Sequence, residues 1–274
     1  MIEDCLRCPC EGRYFGEWHT YSAPPKGEGN FKFKSNGSYS RTISKCAVCS
    51  HFVSVHEMST GSLYSGDYVN ANYGGIEGIK KSFERIVNMD SSKSDNYWRV
   101  ERVCQFGERN FPTESNNRSI LDVGSGLCVF LHGMKQRGWN CTALDPDKRS
   151  VEHARDYVGV NAVRADFMTV ENLGRYDVIA FNKVLEHVDD PVNMLSKSLN
   201  LLNPNGFIYC EVPDGETAAG ISPAREEFFI EHPHIFSAAS LMLMVYRAGL
   251  IVKDFQRITE PSGKHSLITF MTLT

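Results

Sequence analysis

Three sets of residues in this sequence have the type and spacing to do chemistry. Near the N-terminus stand two Cys-x-x-Cys pairs, Cys5-Leu-Arg-Cys8 and Cys46-Ala-Val-Cys49. Each can fold as a knuckle presenting two thiolates to one ion. Two knuckles complete the closed four-cysteine geometry of structural zinc, with Cys10 and His51 as substitute ligands. The second set is the turn Gly124-Ser-Gly126, where missing side chains let the backbone approach a ligand, followed by Asp145. A carboxylate about twenty residues beyond such a turn can accept both hydroxyls of a ribose. The plainer use of Asp145 or Asp147 is to cap the helix that follows. The third set is Glu186-His187 together with Glu231-His232-Pro-His234. Carboxylates beside imidazoles suit proton removal near neutral pH, with His232 or His234 as the general base. The plainer readings are a helix-start pair and a capped turn before Ser237.

Composition narrows the setting. The chain has 274 residues, 42% hydrophobic and 23% charged, with a net charge of -4. That is room for one large domain and a small one. The negative balance argues against nucleic-acid binding through the whole surface. No apolar run is long enough for a transmembrane helix, so no membrane insertion is expected. The opening residues, MIEDCLRCPC, are acidic where a secretory signal is basic, so the expected location is cytoplasmic. In a reducing compartment clustered cysteines favour metal over disulfides. Cys104, Cys128, Cys141 and Cys210 stand singly and read as small core residues.

The elements that must position these groups follow from periodicity. Residues 1–60 form a zinc-binding segment with one or two hairpin strands. Residues 61–117 form a helical connector and cofactor cover, with Ile79, Phe83, Ile86 and Val87 on one helix and Trp98, Val100, Val103 and Phe106 on another. Residues 107–117 read as the loop into the main domain, which spans 118–274. There, strands at 119–123, 139–144, 160–164, 176–181 and 207–212 alternate with helices, which predicts a doubly wound parallel α/β sheet. Strands at 250–258 and 267–272 are joined only by a turn and must be antiparallel. Residues 215–227 read as a substrate loop or lid, with Arg225 either meeting an anion or solvated.

In their order, LDVGSG at 121, ALDPD at 143, RADF at 164, YDVIAFNKVLEHVDDP at 176 and LNPNGFIYCEVPD at 202 resemble the class I S-adenosylmethionine-dependent methyltransferases. The resemblance covers roughly residues 118–274. It implies a Rossmann-like seven-stranded sheet whose last strand is antiparallel. It further implies that Asp122, Gly124 and Gly126 line the methionine and ribose, that Asp145 holds the ribose hydroxyls, that Asp166 and Phe167 frame the adenine, and that Asn182 lies beside the sulfonium. Cys128 stands where many members have a third glycine. Some relatives carry a Glu-x-x-Glu-His metal cluster at the 183–187 position, and Lys183 here replaces its first glutamate.

The Cys-x-x-Cys pairs also resemble a subgroup with a zinc-binding domain ahead of the methyltransferase, which includes sugar methyltransferases. Its C-methylating members have a Tyr-x-Glu-His motif and a further C-terminal domain. Here Phe229-Ile-Glu231-His232 keeps the glutamate and histidine but not the tyrosine, and these 274 residues hold no counterpart of that domain. The expected reaction is therefore O-methylation of a sugar hydroxyl, nucleotide-linked or in a glycan. The alternatives are C-methylation of a nucleotide deoxysugar, or transfer to a quinone, phenol or RNA.

Overall fold

In the computed structural model, residues 8–12, 14–29, 39–56, 75–111 and 118–273 are described. Cys5, Phe31, Phe33 and the aromatic stretch at 63–73 fall outside them.

The chain's centre is a seven-stranded sheet. Its strands are β4 (Ser119–Val123), β5 (Asn140–Asp145), β6 (Asn161–Arg164), β7 (Tyr176–Asn182), β8 (Leu202–Pro213), β10 (Leu250–Thr259) and β11 (His265–Leu273). Their order is β10-β11-β8-β7-β4-β5-β6. β4 to β8 run parallel, and β11 is antiparallel to both β8 and β10. The middles of the central strands are apolar: Ile120, Leu121, Val178, Ile179 and Ala180 are fully buried. A parallel sheet covered on both faces requires such runs.

Helices supply the cover. α1 (Ile76–Val87), α2 (Asp95–Asn110) and α3 (Val129–Gln136) pack on one face, through Phe83, Val103, Phe106, Leu131 and Met134. α4 (Lys148–Glu152), continued by a π-helical turn His153–Val158, joins them. α5 (Pro191–Lys197) and α7 (Ala238–Arg247) close the other face, with Leu195, Leu241 and Met244. Periodicity placed α2 but cut it short. The helix runs on through Gly107 to Asn110, because Gly107 packs against the Trp139 ring and the Arg109 and Asn110 side chains donate to carbonyls four residues back.

The N-terminal segment forms a second sheet of β1 (Phe15–Tyr21), β2 (Arg41–Cys46) and β3 (Phe52–Val55). Its fourth strand is β9 (His234–Ile235), which pairs antiparallel with β3 and belongs to the loop after β8. The small module is thereby stitched to the large one through the segment that carries the Glu231-to-His234 motif. Residues 215–219 form a short helix, α6 (Gly215–Ala219), capped by buried Asp214, so the first part of the expected lid is packed structure. No helix among the described residues is long and apolar enough to cross a membrane.

Candidate active site

The glycine turn leaves β4 and enters α3 through left-handed backbone. φ is 69° at Gly124, 48° at Gly126 and 59° at Cys128. A Cβ on Gly124 would come within 2.9 Å of Val184 Cγ2. Cys128 adopts the same left-handed region without glycine's freedom, which is the physical reason a glycine suits that place. Around the turn, Asp122 accepts the Asn182 amide at 2.7 Å, and Asp145 accepts the backbone N–H groups of Gly126 at 2.9 Å and Asp147 at 2.8 Å. Burial pushes Asp122 up to about 7 and Asp145 to about 6, against the donors that favour their charged forms. Asn182 Oδ1 and Ser125 Oγ are buried without a partner among the described residues. A close-approach turn, acidic residues at the ends of β4 and β5 and orphaned polar atoms beside them fit an adenosyl ligand. Asp166 is exposed and accepts Met168 N–H at 2.8 Å. The Phe167 ring is buried in the core, edge-on to Phe181. Asp147 caps α4.

Beside this cradle lies a cavity of about 1010 Å³, lined among others by Asn96, Arg99, Val129, Lys183, Glu186, His187, Glu231 and His232. Glu186 is fully buried, and neither carboxyl oxygen has a partner among the described residues. Burial raises it to about 8, with the Lys183 ammonium pulling the other way. Glu231 is raised to about 7 by burial, and its Oε2 is also orphaned. His187 Nδ1 lies 2.8 Å from the Glu231 carbonyl, and His232 Nδ1 lies 3.0 Å from the Glu227 carbonyl. Ligand atoms of Glu186, His187 and His232 fall within 4.8 Å of one another. His234 is elsewhere. Its Nδ1 meets His51 Nε2 at 3.0 Å, His51 Nδ1 meets Ser240 Oγ at 3.1 Å, and this pair bridges the two modules. Arg225 is bound in a fork to Glu227 and to the Gly263 carbonyl.

Sequence reading missed what holds the cavity roof. Fully buried Glu211, at the end of β8, accepts Arg99 at 2.8 and 2.6 Å and the Tyr209 hydroxyl at 2.8 Å. Lys183 stands 3.5 Å from it, in left-handed backbone with φ 56°, and donates to Ser266 Oγ at 2.8 Å. The coulombic pull of these cations holds Glu211 well below the usual carboxylate range, despite burial. The network fixes α2 over the cavity. One signal was available, a lone glutamate in an otherwise apolar strand.

At the far end of the small sheet, Cys8, Cys10, Cys46 and Cys49 converge. Cys8 Sγ is 3.0 Å from Cys10 Sγ and 3.6 Å from Cys46 Sγ, and Cys10 to Cys46 is 3.6 Å. Tetrahedral thiolates on zinc stand about 3.8 Å apart. The donor set fits that ion. Cys10 completes the described cluster, and Cys5 lies outside the described residues.

Residues 96–254, more than half of the chain, match the family described as "Methyltransferase domain". The chain belongs to this family. Its sheet is the class I S-adenosylmethionine-dependent methyltransferase fold, seven strands with the last one antiparallel. Among curated relatives, the chain is 27% identical over 161 residues to the "Ubiquinone biosynthesis O-methyltransferase" of Erwinia tasmaniensis, covering 56% of this chain and 60% of the relative. It is 30% identical over 99 residues to the protein of that name from Bordetella avium, covering 34% and 41%. The chain thus spans less than two thirds of the length of either. Among solved structures, magnesium protoporphyrin IX methyltransferase from Synechocystis with bound S-adenosylhomocysteine superposes with a TM-score of 0.56 at 13% identity, over 78% of this chain and all of that one. A glycopeptide N-methyltransferase complexed with S-adenosylmethionine gives 0.51 at 13% identity, over 64% and 94%. These likenesses show the fold.

Proposed function

We propose that this protein transfers a methyl group from S-adenosylmethionine to a hydroxyl of a sugar-like, polyhydroxylated acceptor held in the cavity beside the glycine turn. The methyl donor supplies an electrophile that is already activated. The chain must align the acceptor, exclude water and remove a proton. The reading rests on one observation: three buried carboxyl oxygens without a partner among the described residues, two on Glu186 and one on Glu231, line a cavity that also presents His187 and His232. Buried polar atoms without partners are costly, and a ligand rich in hydroxyls satisfies them.

Asp122, Gly124, Gly126, Asp145 and Asn182 would hold the methyl donor, with Asp166 and the Phe167 backbone at the adenine. Glu186 and Glu231 would hold neighbouring hydroxyls. His232 would take the proton, since its Nδ1 faces a carbonyl and its Nε2 is left basic. Zinc on Cys8, Cys10, Cys46 and Cys49 would be structural.

A second reading, transfer to a phenol or quinol, draws on the names of the curated relatives. Methyl transfer from labelled S-adenosylmethionine, screened over nucleotide sugars, lipid-linked sugars, quinols and simple amines, separates the two. Labelled sugar products support the proposal. Reaction with quinols alone removes it. Calorimetry with S-adenosylmethionine against NAD tests the donor itself.

A further inference from the structure

The wall of the acceptor cavity at residues 226–232 has little secondary structure of its own beyond one 3-10 turn, Glu226–Phe228. A loop that carries Glu231 and His232 must nevertheless be held to a fraction of an ångström for proton transfer. What holds it comes from the other module. Arg41, on β2, is only 1% exposed. Its guanidinium donates to the Phe228 carbonyl at 2.5 Å, to the Tyr39 hydroxyl at 3.0 Å and to Glu28 Oε2 at 3.0 Å. Glu28 is equally buried in its side chain. Its Oε2 accepts the Ile230 N–H at 2.7 Å, and its Oε1 accepts the Tyr39 hydroxyl at 2.6 Å. The ion pair therefore grips the backbone on either side of Phe229 with both of its charges.

Further ties run in parallel. The Tyr21 ring, 4.3 Å from the Arg41 guanidinium carbon, carries a hydroxyl that donates to the Pro223 carbonyl at 2.6 Å. Phe228 stacks on Trp18 with centroids 4.6 Å apart. Ser54 N–H donates to the Pro233 carbonyl at 3.0 Å, one residue beyond His232. The module also touches the cavity itself, since Gly27 lines it next to Phe229.

Replacing a buried ion pair by apolar residues often leaves stability unchanged or improved, so stability alone does not account for this one. Its geometry does. Besides the Tyr39 hydroxyl that both share, each charge makes one hydrogen bond to a named backbone group of the cavity loop. We propose that Arg41 and Glu28 are positioning residues for methyl transfer: they clamp the Phe228 carbonyl and Ile230 amide, so that the N-terminal module builds one wall of the acceptor site. This rests on the reading of the cavity as the acceptor site.

The test uses the full-length, zinc-loaded chain and the variants Arg41→Lys and Glu28→Gln, with hydrogen exchange as a readout that needs no acceptor. The Ile230 amide is expected to exchange about tenfold or more faster in both, because its charge-assisted hydrogen bond to Glu28 becomes neutral in one and loses its fixed geometry in the other. Exchange in β4 and β7 should be unchanged, and calorimetric affinity for S-adenosylhomocysteine should stay within about twofold. With an acceptor from the screen, KM or kcat should worsen by about tenfold, more for Glu28→Gln and Arg41→Ala than for Arg41→Lys. Unchanged exchange at Ile230, or equal acceleration throughout the central sheet, overturns the clamp. Faster exchange at Ile230 with unaltered transfer kinetics leaves the clamp standing and overturns the cavity as acceptor site, and with it the positioning role.

Discussion

The imidazoles of His187 and His232 meet edge to face, with ring centroids 4.7 Å apart, and each sets its Nδ1 against a backbone carbonyl, of Glu231 and Glu227 respectively. A carbonyl only accepts, so both Nδ1 atoms carry the proton and each Nε2 is the basic nitrogen. Burial lowers His187 to about 4 and His232 well below its ordinary value, and the neighbouring imidazole adds to the effect on His232. The His232 ring thus stays neutral through the physiological range. His232→Gln is expected to lower kcat by about a hundredfold or more, the usual worth of a general base. Binding of S-adenosylmethionine, followed by calorimetry, should be unchanged. The wild-type rate should also show no acid limb near pH 6.5, the ordinary value for a histidine. Full activity in His232→Gln would remove the base from this loop.

The buried carboxyls give the unliganded protein a pH signature. Glu186 titrates near 8 folded against 4.5 as a free side chain. Between those values the native state binds more protons than the unfolded chain. Its contribution is therefore fully present below about 4.5 and is lost as pH rises through about 8. Glu231 and Asp122, each raised to about 7, and Asp145, raised to about 6, have the same sign. The melting temperature of the unliganded protein should fall between about pH 7 and pH 9, through the value of Glu186 and above the range in which buried His187 and His232, lowered in the folded state, add stability as pH rises. Glu186→Gln, which keeps the shape and removes the charge, should flatten the upper part of that fall. A melting temperature that rises across the same range would show that these groups ionise at little cost.

Asp145 presents one carboxylate at the end of β5 to two backbone N–H groups, from Gly126 and Asp147. Asp145→Ala leaves those amides without their acceptor and removes the acceptor proposed for the ribose hydroxyls. S-adenosylmethionine affinity should drop by roughly 1.5–3 kcal/mol, the worth of hydrogen bonds to a charged group. Zinc content should not change. Calorimetry of the variant against Asp147→Ala, which should lose only a helix cap, distinguishes a ligand role from a local one.

The sheet was legible because its signals are local. Apolar runs ending in Asp122, Asp145 and Asn182 mark strands, and the glycine turn marks the entry to α3. The short turn after Thr259 could only join antiparallel strands. The cavity wall was legible in its residues but not in their partners. Nothing in the order of residues tells that His234 would turn away to His51, some 183 positions earlier in the chain. The Arg41–Glu28 pair was hidden for the same reason. Each is an ordinary surface residue type in a polar stretch, and contacts with residues 228–230, far along the chain, accompany their burial. The metal ligands were half visible. Spacing favours Cys-x-x-Cys, yet a Cys-x-Cys turn can bring two thiols equally close.

That last difference yields a sharp test. The described cluster joins Cys8 and Cys10 to Cys46 and Cys49, with Cys8, Cys46 and Cys49 buried and Phe15 and Leu243 packed around it. Arg247 on α7 donates to the Pro9 carbonyl at 3.2 Å and pairs with Glu11, so the Cys-x-Cys turn is also tied to the large module. Burial opposes ionisation of Cys46, but the backbone N–H groups of Cys49 and Val48 outweigh it and bring the thiol down to about 7. Purified protein should carry about one zinc per chain. Cys10→Ser and Cys46→Ser should both lose it, whereas Cys5→Ser should keep it. Since the cluster anchors the sheet that grips residues 226–235, chelation should speed hydrogen exchange there while S-adenosylmethionine binding at the carboxyl end of β4 persists. Metal analysis decides the ligand set. Zinc retained in Cys10→Ser and lost in Cys5→Ser would restore the paired Cys-x-x-Cys arrangement that spacing alone suggests.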